Sequence, residues 1–258
     1  MNQNIHSEIS YQQRQAEMLD QVIPTPAATI ARYRQTPDWR IYPKEFMFHR
    51  IRALAPKRVC DFGCGAGETS VELGALGYAV VGLDLSPDLI ALAQRRAELD
   101  LVTDRVEFVV AEANPSALPK ASFDLVLVQA VLHHMDIAQG IATLLAMLKP
   151  GGHVVIMEPV VLSSAMRWLR RHIPVAADLS LNERQLEWLD IRSVESGFEV
   201  VEKRFFHLGT RLLRCVPERF IGHRTLSYAL HALDQALIRG VPGLYRWAGI
   251  LVFVGRKK

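Results

Sequence analysis

The chain has 258 residues, of which 50% are hydrophobic and 22% are charged, and its formal net charge is +3. This composition allows one large domain with a full core, with or without sizeable insertions, and excludes a globally disordered chain. The three cysteines, Cys60, Cys64 and Cys215, form no C-x-x-C pair and no Cys/His cluster, so we predict a reducing compartment, no disulfide framework and no metal site. A polar start, with no signal-peptide pattern and no apolar run near the roughly 18 residues of a membrane span, favours a cytoplasmic protein.

Residues 1–56 are predicted to be helical with breaks, because several prolines interrupt this segment. The segment is also rich in aromatic residues, namely Tyr11, Tyr33, Trp39, Tyr42, Phe46 and Phe48. Side chains of this kind must cover something apolar. We predict an N-terminal helical lid or extension over 1–56, which covers either a bound ligand or simply the sheet.

From residue 57 to 258, predicted strands alternate with helices in one core domain. The strands are predicted at 59–62, 79–83, 106–110, 123–129, 153–157, 198–206 and 249–255. The helices are predicted at 68–76, 86–99, 137–148 and 182–196. The second of them has Ser86 at its cap and Pro87 at its first helical position. The alternation predicts an α/β fold in which helices cover both faces of a parallel sheet.

Two inserts, near 159–181 and 207–248, follow the fifth and sixth strands. Ligands of open α/β sheets bind outside the carboxyl ends of the strands, so we expect both inserts on the ligand side. From Lys203 to Lys258 eleven Lys or Arg face two acids, a net charge of +9, and the rest of the chain carries −6. This asymmetry suits an anionic substrate, a membrane surface or nucleic acid, and equally a solvated basic face. Within the second insert, Leu226, Leu230, Leu233 and Leu237 form one apolar helix stripe that suits a lid or a homodimer contact.

The stretch from Arg58 to Ser70 predicts a nucleotide-type cofactor site. A strand leads into a G-x-G-x-G turn (Gly63, Gly65, Gly67) and then into the start of a helix, where backbone N–H groups are unpaired. A dinucleotide fingerprint would have glycine in place of Glu68. Asp61 would repel a pyrophosphate but suits a cationic ligand group, such as an ammonium or sulfonium.

Four motifs in this order resemble those of the class I S-adenosylmethionine-dependent methyltransferases, in particular the small-molecule branch that includes enzymes of quinone biosynthesis. They are 59–67 (VCDFGCGAG), 81–87 (VGLDLSP), 108–135 (FVVAEA to LHHM) and 148–156 (LKPGGHVVI). The resemblance covers roughly 42–258. It implies a Rossmann-like three-layer sandwich, whose seven-stranded, mostly parallel sheet has an antiparallel last strand and helical inserts after strands five and six.

The resemblance also implies roles for single residues. Gly63, Cys64, Gly65 and Gly67 would pass close to the methionine part of S-adenosylmethionine, and Asp61 would hold its ammonium group. Asp84 would take both ribose hydroxyls. The adenine and the region of the sulfonium would be contacted by Leu85, Glu112, Ala113 and Gln129. The family more often has Asp in place of Glu112, which weakens that one assignment.

Methyl transfer requires alignment of the nucleophile, and a base only where the nucleophile holds its proton. His133 and His134 follow the fourth strand and Glu158 ends the fifth, so we predict a His–carboxylate pair that deprotonates a hydroxyl of the acceptor, the alternative being that one of the two histidines packs or caps the next helix. His153, inside the fifth strand, is interpreted as structural. Arg167, Arg170 and Arg171 are candidates for binding an acidic substrate group, or form a solvated helix face.

The main hypothesis is therefore transfer of a methyl group to a small aromatic, lipid-like or anionic acceptor, most readily at oxygen. The alternative is an S-adenosylmethionine-binding enzyme of the same fold that catalyses a cyclisation or elimination. A non-enzymatic binding protein and a nicotinamide oxidoreductase are disfavoured by the complete loop, Asp61 and Glu68. Nucleic acid is a disfavoured partner, because the fourth strand lacks the Asn/Asp-Pro-Pro-Tyr/Phe motif. Peripheral membrane contact through the basic C-terminal region remains open.

Overall fold

The computed structural model of the protein describes residues 22–112, 120–165, 167–168, 184–210, 213 and 222–258. Within them, one seven-stranded sheet has the strand order β3-β2-β1-β4-β5-β7-β6. The strands are β1 (Arg58–Phe62), β2 (Ala79–Asp84), β3 (Val106–Val110), β4 (Phe123–Gln129), β5 (Leu148–Pro159), β6 (Phe198–Phe206) and β7 (Ile250–Lys257). Strands β1 to β5 pair in parallel, and β7 runs antiparallel between β5 and β6. The predicted sheet with an antiparallel last strand is confirmed.

Helices cover both faces of this sheet. They are α1 (Ala27–Gln35), α2 (Pro43–Leu54), α3 (Glu68–Ala75), α4 (Pro87–Leu99), α5 (Ile137–Met147), α6 (Trp188–Gly197) and α7 (His223–Gly240). Ser86 caps α4 as predicted, because its Oγ accepts a hydrogen bond from the backbone N–H of Leu89 at 3.3 Å. No helix among the described residues is both long enough and apolar enough to cross a bilayer.

Two predicted boundaries were wrong. Strand β5 begins at Leu148, ahead of the predicted 153, because Leu148 already pairs with Phe123 and the pairing continues past the glycines with a shift in register. The helix predicted at 182–196 begins at Trp188, with residues 182–183 outside the described part. Glu187 and Asp190 form a capping box there, which fixes the first turn.

The aromatic residues of α2 belong to the core. Phe46, Met47, Phe48 and Ile51 are at most 1% exposed and pack on one face of the sheet with α3 and α4. The ring centroid of Phe46 lies 5.8 Å from that of Phe206, at the end of β6. In α2, therefore, these side chains cover the sheet. A lid role for 1–56 stays a prediction, as does the division from the core at 57, and residues 1–21 lie outside the described part.

The carboxyl ends of β1, β2, β4, β5 and β6 share one edge of the sheet. β7 begins at the same edge, where Ile250 pairs with both Pro159 and Phe206. Asp84, Gln129 and Glu158 lie at or next to these strand ends. The fold therefore brings the predicted site residues of separate motifs to one edge.

Candidate active site at the carboxyl edge of the sheet

The glycine loop after β1 is held against β2 by its own backbone. The N–H groups of Gly63 and Cys64 both donate to the carbonyl of Leu83, at 2.7 and 2.9 Å. Gly63, Gly65 and Gly67 have φ angles of 72°, 53° and 77°, which side-chain-bearing residues rarely adopt. The local sequence thus determines the path of the loop.

The three glycines differ in what surrounds them. A Cβ on Gly63 would lie 2.3 Å from a methyl group of Val131, and one on Gly67 would lie 2.6 Å from the Cβ of Ala93. A Cβ on Gly65 would have nothing within 4 Å. Packing alone therefore requires glycine at the outer two positions, whereas the side of Gly65 is open to a ligand.

Asp84, the last residue of β2, faces this open glycine. Its Oδ2 accepts the N–H of Gly65 at 2.8 Å and its Oδ1 accepts the N–H of Ser86 at 2.9 Å. Burial raises the pKa of Asp84, and the backbone hydrogen bonds from Ser86, Gly65 and Leu85 oppose that rise. Because each carboxylate oxygen has two lone pairs, both oxygens keep room for a further donor.

Asp61 is a buried acid close to the same loop. Its side chain accepts a 2.6 Å hydrogen bond from the hydroxyl of Ser70, and the residue is 1% exposed. Burial raises its pKa to about 6, while Ser70 and the positive charge of Lys44 oppose the shift. No described cation forms a salt bridge with Asp61, since the ammonium of Lys44 pairs instead with Glu72 at 2.9 Å. A cationic ligand group would therefore stabilise the carboxylate.

The predicted His–carboxylate pair is formed. His133 Nδ1 lies 2.7 Å from Glu158 Oε2, and both side chains are almost fully buried. Glu158 Oε1 accepts the N–H groups of Val131 and Leu132 at 2.7 and 2.8 Å. A hydrogen bond donated by Nδ1–H of His133 to this carboxylate leaves Nε2 of a neutral imidazole as an acceptor. The ring of His134 lies 4.0 Å from that of His133, centroid to centroid.

The chain is similar in sequence to known proteins. Residues 60–156 match the model of a family described as a methyltransferase domain. A demethylmenaquinone methyltransferase of Clavibacter sepedonicus is 33% identical over 177 residues, which are 59% of this chain and 71% of the relative. The chain belongs to the S-adenosylmethionine-dependent methyltransferases. Its cofactor is S-adenosylmethionine.

Two further proteins resemble this methyltransferase, one over a shorter stretch of sequence and the other at lower sequence identity. The mitochondrial ubiquinone biosynthesis O-methyltransferase of Schizosaccharomyces pombe is 32% identical over 112 residues, which span only 40% of that relative. The crystal structure of a geranyl diphosphate C-methyltransferase from Streptomyces coelicolor superposes with a TM-score of 0.61, covering 99% of this chain and 98% of the other at 14% identity. At that identity the superposition establishes the shared fold alone.

The donor and acceptor groups of the methyltransferase fit its cofactor. Gly65 leaves open space beside the loop, which a Cβ would fill. Asp84 has acceptor capacity beside that space, as a pair of ribose hydroxyls requires. Asp61 is a buried carboxylate that a cation would stabilise, as the ammonium of the methionine part would.

The remaining predicted cofactor residues are less specific. Cys64 lies against β2, since its Sγ is 3.0 Å from where a Cβ of Gly82 would be, so its side chain is packed. Leu85 and Gln129 are half-buried at the ends of β2 and β4, and Glu112 is exposed after β3. Ala113 lies outside the described residues. Roles for all of these residues stay predictions.

The predicted substrate arginines are only partly described. Arg170 and Arg171 lie outside the described residues. Arg167 follows β5 and forms an ion pair with Glu187 at 3.0 Å, with both side chains about half exposed. Its charge is thus already paired in part. His153, interpreted as structural, lies on β5 beside Leu125, well before the carboxyl end of the strand.

A cavity of about 550 Å³ lies between α1–α2 and α7. Its polar and aromatic lining includes Tyr33, Tyr42, Lys44, His207 and His231. Lys44 of this lining pairs with Glu72 of α3, and its positive charge opposes the rise in the pKa of Asp61. The rings of His231 and Tyr42 in the lining lie 4.6 Å apart.

Several of these side chains were not predicted from the sequence. Ser70 had a local signal, because it lies on the first turns of α3 and can face the strand that carries Asp61. Arg96 had none, yet its Nε donates to the carbonyl of Ala66 in the loop at 3.1 Å. Ser227 and His231 are one helical turn apart, away from the leucine stripe, which is a pattern that helix periodicity reveals.

Proposed function

We propose that this methyltransferase transfers a methyl group to a hydroxyl oxygen of a small aromatic or lipid-like acceptor. S-adenosylmethionine supplies a methyl group already activated by its sulfonium. The chain's own residues must then orient the acceptor and remove the hydroxyl proton. The observation that carries the proposal is the buried contact of 2.7 Å between His133 and Glu158.

Glu158 determines the orientation of the His133 imidazole. Its two oxygens receive three hydrogen bonds, two from the backbone and one from Nδ1 of His133. This arrangement holds the imidazole in one orientation and one tautomer. As the acceptor oxygen attacks the methyl carbon, Nε2 of His133 would take up its proton, and the Glu158 carboxylate would stabilise the resulting imidazolium. His134, whose ring lies beside it at a tilt of 41°, is assigned to positioning the ring.

We assign the cofactor to the glycine-loop edge. Asp61 would bind the ammonium group and Asp84 the two ribose hydroxyls. The backbone of Gly63, Cys64, Gly65 and Gly67 would line the methionine part. Leu85, Glu112 and Ala113 would surround the adenine, and Gln129 would lie near the sulfonium. The support is the open side of Gly65, together with the two carboxylates on either side of it.

We assign the acceptor to the cavity between α1–α2 and α7. Tyr33 and Tyr42 offer aromatic surface to a ring or an alkyl chain. Burial lowers the pKa of His231, so that its imidazole is neutral and can accept a hydrogen bond. The cations of the lining are balanced, since Arg32 pairs with Glu45 and Lys44 pairs with Glu72. The described lining thus favours a neutral part of the acceptor, and an anionic group would have to reach the arginines at 167, 170 and 171. The cytoplasmic location stays a prediction from the cysteine content.

Turnover of a panel of phenols and quinols, read by product mass, tests the proposal. His133→Asn keeps an N–H donor for Glu158 but lacks a group in place of Nε2. We expect it to lose about a hundredfold or more in turnover, while its affinity for S-adenosylhomocysteine is unchanged. His153→Asn, at the other end of the sheet, is the matched control and should keep full activity.

Two results would contradict the proposal. Full turnover by His133→Asn would remove the base from the mechanism. A product with the mass of the substrate, formed only when S-adenosylmethionine is bound, would indicate a cyclisation instead, and a product lighter by the mass of a leaving group would indicate an elimination.

A further inference from the structure

Helix α7 buries polar side chains and exposes apolar ones, the reverse of an ordinary amphipathic surface helix. Among its residues 225–240, the two that are buried are polar, Asp234 and Gln235, at 3% and 2% exposure. Leu233 is 52% exposed and Leu237 is 37% exposed. The outward face of the helix is thus apolar, whereas a surface helix normally presents its polar face to water.

The inward polar face has an identifiable cause. The Asp234 carboxylate accepts the N–H groups of Leu208, Gly209 and Thr210, and also the hydroxyl of Thr210, at 2.8–3.1 Å. Gln235 donates to the carbonyl of Phe205 at 2.8 Å. These bonds fasten α7 to the chain that leaves β6. They fix the orientation of the helix and turn Leu233 and Leu237 outward, whereas Leu226 and Leu230 are half-buried.

The exposed charges of α7 and of the chain that follows it are all positive. From residue 222 to 258 the sole acid is Asp234, and it is buried, whereas Arg239 and Arg246 are exposed. Two further apolar side chains after the helix, Val241 and Trp247, are exposed at 45% and 39%. An exposed apolar strip flanked by arginines and a tryptophan has the chemistry of an interfacial helix that lies on an anionic bilayer.

We infer that the outward face of α7, with Leu233 and Leu237 at its centre, docks onto an anionic lipid surface. A second copy of the chain is the competing occupant, and the mass of the lipid-free protein separates it from a lipid surface. The inference does not rest on the proposed methyl acceptor. It is consistent with that proposal, since α7 also lines the acceptor cavity, through Ser227 and His231 on its inward side.

Co-sedimentation of the full chain with vesicles tests this inference. The vesicles are of phosphatidylcholine alone, or with about a third of the lipid replaced by phosphatidylglycerol. We expect binding to the anionic vesicles and much weaker binding to the neutral ones. Raising the salt concentration to about 0.5 M should also weaken it, because screening shortens the reach of the arginine charges.

Two double variants separate the contributions of the leucines and of the arginines to vesicle binding, and a third is the control. Leu233→Gln with Leu237→Gln should lower vesicle affinity by about tenfold or more, since both leucines lose apolar contact with the bilayer. Arg239→Gln with Arg246→Gln should lower it by about 30-fold, at roughly 1 kcal/mol for each charge. Leu99→Gln with Leu101→Gln, on residues that are 47% and 86% exposed at the far end of the sheet, is the matched control and should bind as the unchanged chain does.

Light scattering of the lipid-free protein completes the test. The unchanged chain and the Leu233/Leu237 variant should have the same mass, and both should bind S-adenosylhomocysteine equally. Three outcomes would overturn the inference: no binding of the unchanged chain to anionic vesicles, equal binding by the Leu233/Leu237 variant, or a dimer that this variant dissociates.

Discussion

The glycine loop and helix α7 are two regions whose sequence patterns are equally clear but have different outcomes. In the loop, the residues that the motif singles out all meet at one edge, within hydrogen-bonding distance of neighbours a few residues away or on the next strand. In α7 the leucine stripe is present, but two of its members, Leu233 and Leu237, face outward. The difference teaches that a turn is determined locally, whereas the side on which a helix packs is determined by its best distant partner.

The largest effect on stability should come from a substitution of Asp234, which bonds α7 to a distant part of the chain. Asp234→Ala would leave three backbone N–H groups of residues 208–210 without their acceptor, so we expect a loss of about 3–5 kcal/mol in the free energy of unfolding. Denaturant titration measures it, and Asp234→Asn, which keeps one acceptor oxygen, should lose less. A loss of less than about 1 kcal/mol in the alanine variant would mean that Asp234 does not fix the helix.

Within the loop, two glycine substitutions should separate packing from ligand access. Gly67→Ala places a Cβ 2.6 Å from that of Ala93 and 3.0 Å from its Cα, at a φ of 77°, so it should cost roughly 2–4 kcal/mol of stability. Gly65→Ala has open space, so about 1–2 kcal/mol for the left-handed backbone is the whole expected cost.

In their affinity for S-adenosylhomocysteine, the two variants should differ in the opposite order, with the larger loss in Gly65→Ala. Gly65→Ala should weaken S-adenosylhomocysteine binding by about tenfold or more, because its methyl group fills the space where the ligand would lie. Thermal unfolding and calorimetric titration measure the two quantities. Equal stability losses for both variants, with normal binding by Gly65→Ala, would contradict the distinction between the glycines.

A smaller effect should follow from the pKa of Asp61. Burial raises this pKa to about 6, against the influence of Ser70 and Lys44. A ligand ammonium prefers the ionised acid, so affinity for S-adenosylhomocysteine should rise with pH up to about 6, by as much as roughly tenfold per unit, and level off above. The free protein should show the reverse trend in stability, because an acid whose pKa is higher in the folded state than in the unfolded state destabilises the fold as it ionises.

Asp61→Asn is the control for this pH dependence. Asp84 and Glu72 also act on Asp61, so the difference between the two proteins isolates the one carboxyl. The variant should bind weakly and lack this rise with pH. A flat affinity of the unchanged chain between about pH 5 and pH 7 would contradict the assignment of the ammonium to Asp61.

The smallest effect is expected on the outward face of α7. Leu233→Gln replaces a side chain that is 52% exposed, so the free energy of unfolding should change by no more than about 0.5 kcal/mol. Denaturant titration is again sufficient. A loss of about 2 kcal/mol would show that the leucine packs against another part of the chain.

Much of the fold could be predicted because its signals are local. Ser86 and Pro87 begin α4 at the expected residue, and the β6–β7 hairpin is antiparallel as the family resemblance implied. The pairing of His133 with Glu158 was predictable too, because β4 and β5 are neighbours and both side chains lie near their carboxyl ends.

What could not be predicted depends on distant partners. The long start of β5 at Leu148 results from pairing with Phe123, which overrides Pro150 and Gly151 as breakers. Lys44 joins the site through Glu72, 28 residues away along the chain, and no spacing in the sequence signals this contact. The outward leucines follow from four hydrogen bonds to Asp234 that arrive from 24–26 residues earlier.

We infer that the cofactor is bound beside the open Gly65 and against Asp84. Calorimetric titration of S-adenosylhomocysteine into the unchanged chain and into Asp84→Ala tests it most directly, with Asp124→Ala, a half-buried acid at the other end of the sheet, as the matched control. We predict that Asp84→Ala loses at least about tenfold in affinity, since two hydroxyl donors lose a charged acceptor. The control should bind normally. Unchanged binding by Asp84→Ala would contradict the assignment of this edge as the cofactor site.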